Sequence, residues 1–317
     1  MDWLDKALLW QLYGNARISY QDLARKYNLT FNAIKNRVKK LEEIGVIQEY
    51  TVELSLAMLG LEPLQALITT DGSENMRTLI DQIGSYQLIR LAYRQANRIY
   101  NSMAYVAETK DFFELKKFLE SLDAVTTVEL HPLLTFVPDA PPHSKARSRG
   151  EKVTFTQSQL STLQCLMEDV RMPVSELANR TNLTPRRINK ILKELQEGGG
   201  VHFTIRINLL AHGDAILDLY IHYDETKTPV NEIITWFQEH YSLEFWNASQ
   251  WLDESVIAVG LIIEDPIRVG EITRLVREAT FVEAVDDFLV TPQTYVKMHY
   301  RDPTQHYLDE LFKEAGL

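Results

Sequence analysis

Apolar residues in this chain follow a helical period in some stretches and a two-residue period in others, and the order of the stretches repeats. In the first stretch Leu4, Leu8 and Leu12 share one face of a helix over Leu4–Tyr13. Ser19–Tyr27 reads as a short helix with Leu23 and Ala24 turned inward, followed by a tight turn at Asn28-Leu29. Thr30 can cap a second helix by accepting a backbone N–H, and in it Ile34, Val38 and Leu41 form one buried stripe. Gly45 ends that helix, and Val46–Leu54 continues as a β-rich, wing-like run. Two helices about a short turn, the second basic and amide-bearing, predict a helix-turn-helix that reads a major groove.

The pattern then changes. Leu64–Thr70, Gln87–Gln95, Tyr100–Ala107 and Ala124–Leu130 read as strands, and Glu74–Ile83 and Asp111–Leu122 as helices. The order β-α-β-β-α-β predicts a ferredoxin-like sandwich with both helices on one sheet face. Pro138–Lys152 breaks the pattern as a basic, proline-rich tether. Beyond it the programme starts again. At a constant offset of 154 residues Leu23-Ala24 falls on Leu177-Ala178 and Asn28-Leu29-Thr30 on Asn182-Leu183-Thr184, while Ile34, Lys39, Leu41 and Gly45 fall on Ile188, Lys193, Leu195 and Gly199. Agreement at the positions that set turn and core marks an internal repeat, and Pro185 after Thr184 strengthens the second helix start. The expected fold is α+β: two tandem copies of a winged helix-turn-helix followed by a ferredoxin-like βαββαβ domain. The expected boundaries are 1–60, 61–137, a linker at 138–152, 153–210, 211–292, and an extension at 293–317. In that extension Tyr307, Leu308, Leu311 and Phe312 form the apolar side of a short helix that should dock on a sheet or a second subunit.

Composition alters this picture in one respect. At 317 residues, 45% hydrophobic and 24% charged, the chain is an ordinary globular sequence long enough for several cores. No apolar run approaches the ~20 residues of a membrane span, and the first residues lack the features of a signal peptide. The single cysteine, Cys165, excludes an intrachain disulfide and a cysteine-based zinc site. These features suit a cytoplasmic protein. A net charge of −11 looks wrong for a nucleic-acid binder, yet it is unevenly spread. Residues 17–40 hold seven basic residues against Asp22 alone, and residues 143–196 hold ten against five acidic ones. Residues 214–310 hold six against nineteen. Local basic faces in an acidic protein are compatible with phosphate contacts.

In the first reading helix, beginning at Thr30, Asn32 and Asn36 can be bidentate to adenine and Lys35 can donate to guanine. Arg37, Lys39 and Lys40 are placed for phosphates. The second helix, beginning at Thr184, exposes Arg186, Arg187, Asn189, Lys190 and Lys193, a different set. If both copies bind, the site is expected to be asymmetric. Other chemistry is weakly marked. There is no P-loop, Gly-x-Ser-x-Gly or His-Glu-x-x-His. His202, His212 and His222 recur every ten residues without the carboxylate spacing of a zinc site. Neither catalysis, a cofactor nor a metal is expected.

The segment Leu4–Gly60 resembles the leucine-responsive regulator/AsnC family of transcription regulators. The resemblance rests on the Leu-Asp start, Asn-Ala-Arg-Ile-Ser at 15–19, Leu23-Ala24, and Arg-Val-x-x-Leu-Glu-x-x-Gly-x-Ile at 37–47. It implies double-stranded DNA as the partner and a βαββαβ domain for effectors and assembly. Family members that bind amino acids usually carry Gly-x-x-Asp between the second and third sensor strands. Here those turns read Asn97-Arg98-Ile99-Tyr100 and Asp253-Glu254-Ser255-Val256, which speaks against an amino-acid effector. If a small-molecule effector exists, Asn97, Arg98, Tyr100 and Asp253 are its candidate contacts. The resemblance also implies assembly through the sensor sheets. Two units in one chain could pair with each other, while apolar strand positions such as Leu219, Ile221 and Tyr223 favour a homodimer. Siroheme decarboxylases resemble the same family in two-unit form, so an enzyme of that kind is the alternative, as is a metabolite sensor that does not bind DNA.

Overall fold

A computed structural model describes residues 1–134, 150–298 and 303–317. In chain order the first copy runs α1 (Trp3–Gly14), α2 (Tyr20–Tyr27), α3 (Phe31–Glu43), β1 (Ile47–Leu54), α4 (Leu56–Leu59), β2 (Glu62–Thr70), α5 (Met76–Ser85), β3 (Ile89–Ala96), β4 (Ile99–Val106), α6 (Thr109–Glu120) and β5 (Val125–Leu134). The second runs α7 (Gln157–Glu168), α8 (Val174–Thr181), α9 (Pro185–Glu197), β6 (Val201–Ile207), β7 (Ala215–His222), α10 (Val230–His240), β8 (Phe245–Trp251), β9 (Val256–Ile263), α11 (Val269–Arg277) and β10 (Ala284–Val290). A strand β11 (Val296–Met298) and a helix α12 (Pro303–Glu314) follow. The α+β repeat expected from the pattern is therefore present. Most of the tether, 138–149, lies outside the described residues. No helix among those described is long and apolar enough to cross a membrane.

Like halves fold together, so the chain divides into two compact units that do not follow the tandem order. One unit gathers both helix-turn-helix copies and α12, from residues 1–59, 150–212 and 303–317. In each copy the turn is set by an asparagine in the left-handed region, Asn28 and Asn182, both at φ 54°. Asparagine tolerates this conformation because its side chain is short and polar. Thr30 accepts from the Ala33 N–H at 3.1 Å and Thr184 from the Arg187 N–H at 3.2 Å. The stripes Ile34, Val38, Leu41 and Ile188, Ile191, Leu195 are fully or nearly buried, each such side chain contributing about 1.5–3 kcal/mol.

The wing departs from expectation. Among the described residues β1 has no return strand of its own and pairs antiparallel with β6 of the other copy. Tyr50 faces Ile205 and Thr51 faces Thr204. A shift by the repeat offset turns either pair into the other, so the ladder has an approximate two-fold axis between them. Helix packing is exchanged in the same sense, α1 lying on β6 and α7 on β1. That explains why α1 buries Leu9, Trp10 and Tyr13 as well as the predicted Leu4, Leu8 and Leu12. A helix apolar on most sides must be covered on most sides. α12 docks on this unit, touching α4, α7 and β1, with Leu308 and Phe312 buried and the Thr304 hydroxyl accepting from the Leu54 N–H at 3.0 Å.

The second unit holds both ferredoxin-like halves in one nine-stranded sheet ordered β10-β7-β9-β8-β5-β2-β4-β3-β11. β5 meets β8 through Leu133↔Trp251 and Leu134↔Gln250. Each half packs one sheet face on its own two helices. Leu64, Ala66 and Ile68 join Ile80, Ile83 and Leu115 in the first half. Leu219, Ile221 and Tyr223 join Ile233, Phe237 and Ile272 in the second. The residues on which a homodimer was expected thus lie beneath their own helices. The opposite faces meet each other instead, around Leu133, Tyr220, Trp251 and Val256, with Leu67, Met103, Ala258 and Phe288.

Candidate nucleic-acid interface

α3 and α9 each follow a three-residue turn and begin at a capped threonine, so the exposed face of their first turns is fixed by local hydrogen bonds. On α3, Asn32, Lys35, Asn36 and Lys40 are exposed and make no side-chain hydrogen bond or ion pair among the described residues. Arg186 and Asn189 are in the same state on α9. Free N–H and amide groups at the start of a presented helix are what base edges and phosphates require. The remaining candidates have intramolecular partners. Lys39 lies 3.0 Å from Glu43, Lys190 3.6 Å from Glu194, and Lys193 3.8 Å from Glu197. These are exposed pairs one turn apart, worth a few tenths of a kcal/mol, and a phosphate can displace them. Arg187 stands 3.8 Å from Glu194.

Arg37 differs from the others. Its guanidinium donates to Asp2 at 2.7 Å and to Asp5 at 2.8 Å, and Asp5 is buried. Arg37, expected at a phosphate, here ties α3 to the start of α1. The physical reason is that the Leu-Asp start of α1 brings two carboxylates against this face.

A reciprocal contact holds the two helix-turn-helix copies together. Arg17 donates to the carbonyls of Val170 and Met172, the latter at 3.0 Å. Arg171 donates to those of Ala16, at 2.8 Å, and Ile18, at 3.3 Å. The same contact is made twice under the repeat offset, each copy's arginine gripping the other's loop. The Arg171 guanidinium also lies over the rings of Tyr20 and Tyr50, at 4.6 and 5.2 Å. Burial pulls the Arg17 pKa down from its ordinary value, though a guanidinium stays charged. An open cleft of about 630 Å³ beside this clasp is lined by Asn15, Arg17, Asn189, Lys193 and Gln196. It lies between α9 and the first copy's loop.

The sensor candidates do not converge. Asn97 and Arg98 form the exposed β3–β4 turn, with Arg98 at φ 62°. Tyr100 is fully buried on the helix side and donates to Glu74 at 2.7 Å, so it lines no open site. Asp253 meets the buried His131 at 3.0 Å, a histidine that sequence reading passed over. The two residues are 122 apart, and only the β5–β8 join brings them together. His202 and His212 belong to one unit and His222 to the other, on separate elements.

A profile described as winged helix-turn-helix DNA-binding matches residues 1–48 and 156–199, once in each copy. An uncharacterised helix-turn-helix-type transcriptional regulator of Pyrococcus furiosus is 46% identical over 68 residues, 22% of this chain and 45% of that protein. A second from the same organism is 33% identical over 126 residues, 38% of this chain and 79% of that protein. The regulator LrpA of Pyrococcus horikoshii is 25% identical over 134 residues, 40% of this chain and 92% of its own length. These relatives match a single copy. The crystal structure of the siroheme decarboxylase NirDL matches both, covering 100% of each chain at a TM-score of 0.58 and 10% identity. That likeness shows the two-copy fold in an enzyme and overturns the expectation that this chain is not one: the scaffold does not exclude catalysis.

Proposed function

The chain belongs to the Lrp/AsnC family of helix-turn-helix transcription regulators, and we propose that it reads double-stranded DNA with α3 and α9 together. The observation that carries this reading is the pair of capped helices, each with unpartnered amide or basic side chains on its exposed face, clasped in one unit. Asn32, Lys35 and Asn36 read bases in one half-site, and Arg186 and Asn189 in the other. Lys39, Lys40, Arg187, Lys190 and Lys193 contact phosphates. Because Asn32 corresponds to Arg186 and Lys35 to Asn189, the two half-sites differ in sequence.

The test is a gel shift with the DNA upstream of the chain's own gene, run at rising salt. Affinity should fall steeply, since each neutralised phosphate adds about 0.9 to the log–log slope. Lys35→Ala with Arg186→Ala should weaken binding by at least tenfold. Binding that survives both substitutions and high salt unchanged would refute the reading. The full-length likeness to NirDL favours one second reading, chemistry on a tetrapyrrole within the same scaffold. Absorbance titration with an iron porphyrin decides it, a protein that perturbs no Soret band dismissing it.

A further inference from the structure

We propose that His131, Asp253 and Glu254 form a divalent transition-metal site that bridges the two sensor halves. The ligating atoms of the three side chains lie within 4.8 Å of one another. His131 comes from β5 of the first half, and the carboxylates from the β8–β9 turn of the second. One imidazole with two carboxylates is a donor set for zinc and its neighbours, since hard cations such as Mg²⁺ and Ca²⁺ take oxygen ligands.

The imidazole is built into the fold. His131 is 4% exposed, and its ring stacks on Trp251 with centroids 3.6 Å apart and planes 10° from parallel. Trp251 is itself fixed by donating from Nε1 to Gln65 at 2.9 Å. Nδ1 of His131 faces Asp253 Oδ2 at 3.0 Å, so both can turn to a shared ion with little movement. The other ring nitrogen, Nε2, is buried without a hydrogen-bond partner among the described residues. A carboxylate oxygen of Glu129 stands 3.9 Å from it. That leaves Nε2 to hold the proton while Nδ1 ligates, with Glu129 as the outer carboxylate that orients metal-bound histidines. In the ion-free protein Nδ1 donates to Asp253; a bound ion would take that position and move the ring proton to Nε2.

The ligand shell can close. Bonds of about 2.0–2.2 Å bring ligand atoms to about 3–4 Å from each other, a contraction that the exposed Asp253 and Glu254 side chains can make by rotation. The surroundings favour it, because residues 214–298 carry sixteen acidic residues against five basic ones and draw in cations. Water completes the coordination on the solvent side. The site lies at the join of β5 and β8, so an ion there pins one sensor half to the other. This inference is independent of the DNA reading.

The probes are Zn²⁺ and Co²⁺ added to the full chain after chelator treatment. Calorimetry should give one ion per chain, Co²⁺ should develop visible ligand-field bands, and Zn²⁺ should raise the melting temperature of the chelator-treated protein. Asp253→Asn with Glu254→Gln should abolish the bands and weaken binding at least a hundredfold. Glu254→Gln alone, at an exposed position that leaves the fold intact, should weaken binding about tenfold. Glu129→Gln should weaken it about tenfold while keeping the stoichiometry. Equal affinity in wild type and Glu254→Gln, or no binding at millimolar ion, would overturn the proposal.

Discussion

Asp218 is a carboxylate held in an environment that its type does not prefer. It sits on the face of β7 that meets the other half, accepts from the Tyr93 hydroxyl at 2.9 Å, and has its carboxyl pushed up to about 6 by burial. The folded state therefore holds this proton more tightly than the unfolded chain, where the usual carboxylate value of about 4 applies. Below pH 4 the group is neutral in both states and has no effect. As pH rises from 4 to 6 the unfolded chain ionises first, and stability is lost, on the order of 2 kcal/mol in all. Asp218→Asn should remove that loss while keeping a partner for Tyr93. In urea unfolding, the variant's advantage should be absent at pH 4, grow through pH 6 and level off by pH 7. A variant less stable than wild type at pH 7 would mean that the ionised carboxylate is needed. Tyr220 next to it shows the better-satisfied case, its hydroxyl accepting from Gln65 at 2.6 Å and Asn101 at 2.8 Å.

Among the elements, the clasp of the two helix-turn-helix copies carries the sharpest expectation. Removing Arg17 or Arg171 leaves two carbonyls of the opposite loop without donors that had been charge-assisted, a loss of about 2–4 kcal/mol. Arg17→Ala and Arg171→Ala should each lower the melting temperature, and Arg171→Ala by more, because it also removes the cation–π contacts with Tyr20 and Tyr50. Calorimetry of the single and double variants checks this, and variants that melt with wild type would sink the clasp. The clasp also shows where sequence reading stops. Helices, turns and caps were legible, because Thr30, Asn28 and the stripe from Ile34 to Leu41 act within a dozen residues. Local pattern could also place Arg17, but as one more surface cation. Its partners lie 153 and 155 residues away, and periodicity carries nothing over such a distance. The same holds for His131 and Asp253, and for β1, whose strand character was plain while its partner β6 was not.

At the scale of the molecule, the repeat makes one chain do what two single-copy chains must do together. Surfaces that a lone copy would have to bury by association are already covered: β1 by β6, the inner face of one sensor half by that of the other, and the β3 edge by β11. An edge strand without a partner invites another chain; these three devices remove such surfaces, and β10 is left as the sheet's other edge. Light scattering at micromolar concentration should therefore return the mass of a single chain, independent of salt. A stable dimer would show that an outer surface, rather than these sheet faces, drives assembly. The proposed function carries an expected stoichiometry on DNA. On the proposed reading, α3 and α9 in one unit, held by a reciprocal clasp, would present both half-sites together without a second chain. Titration of a bound fragment well above its dissociation constant should break at one chain per duplex. A break at two would mean that each chain uses one reader, and α3 and α9 would then be tested separately by Lys35→Ala and Arg186→Ala, the substitution that matters identifying the helix in contact.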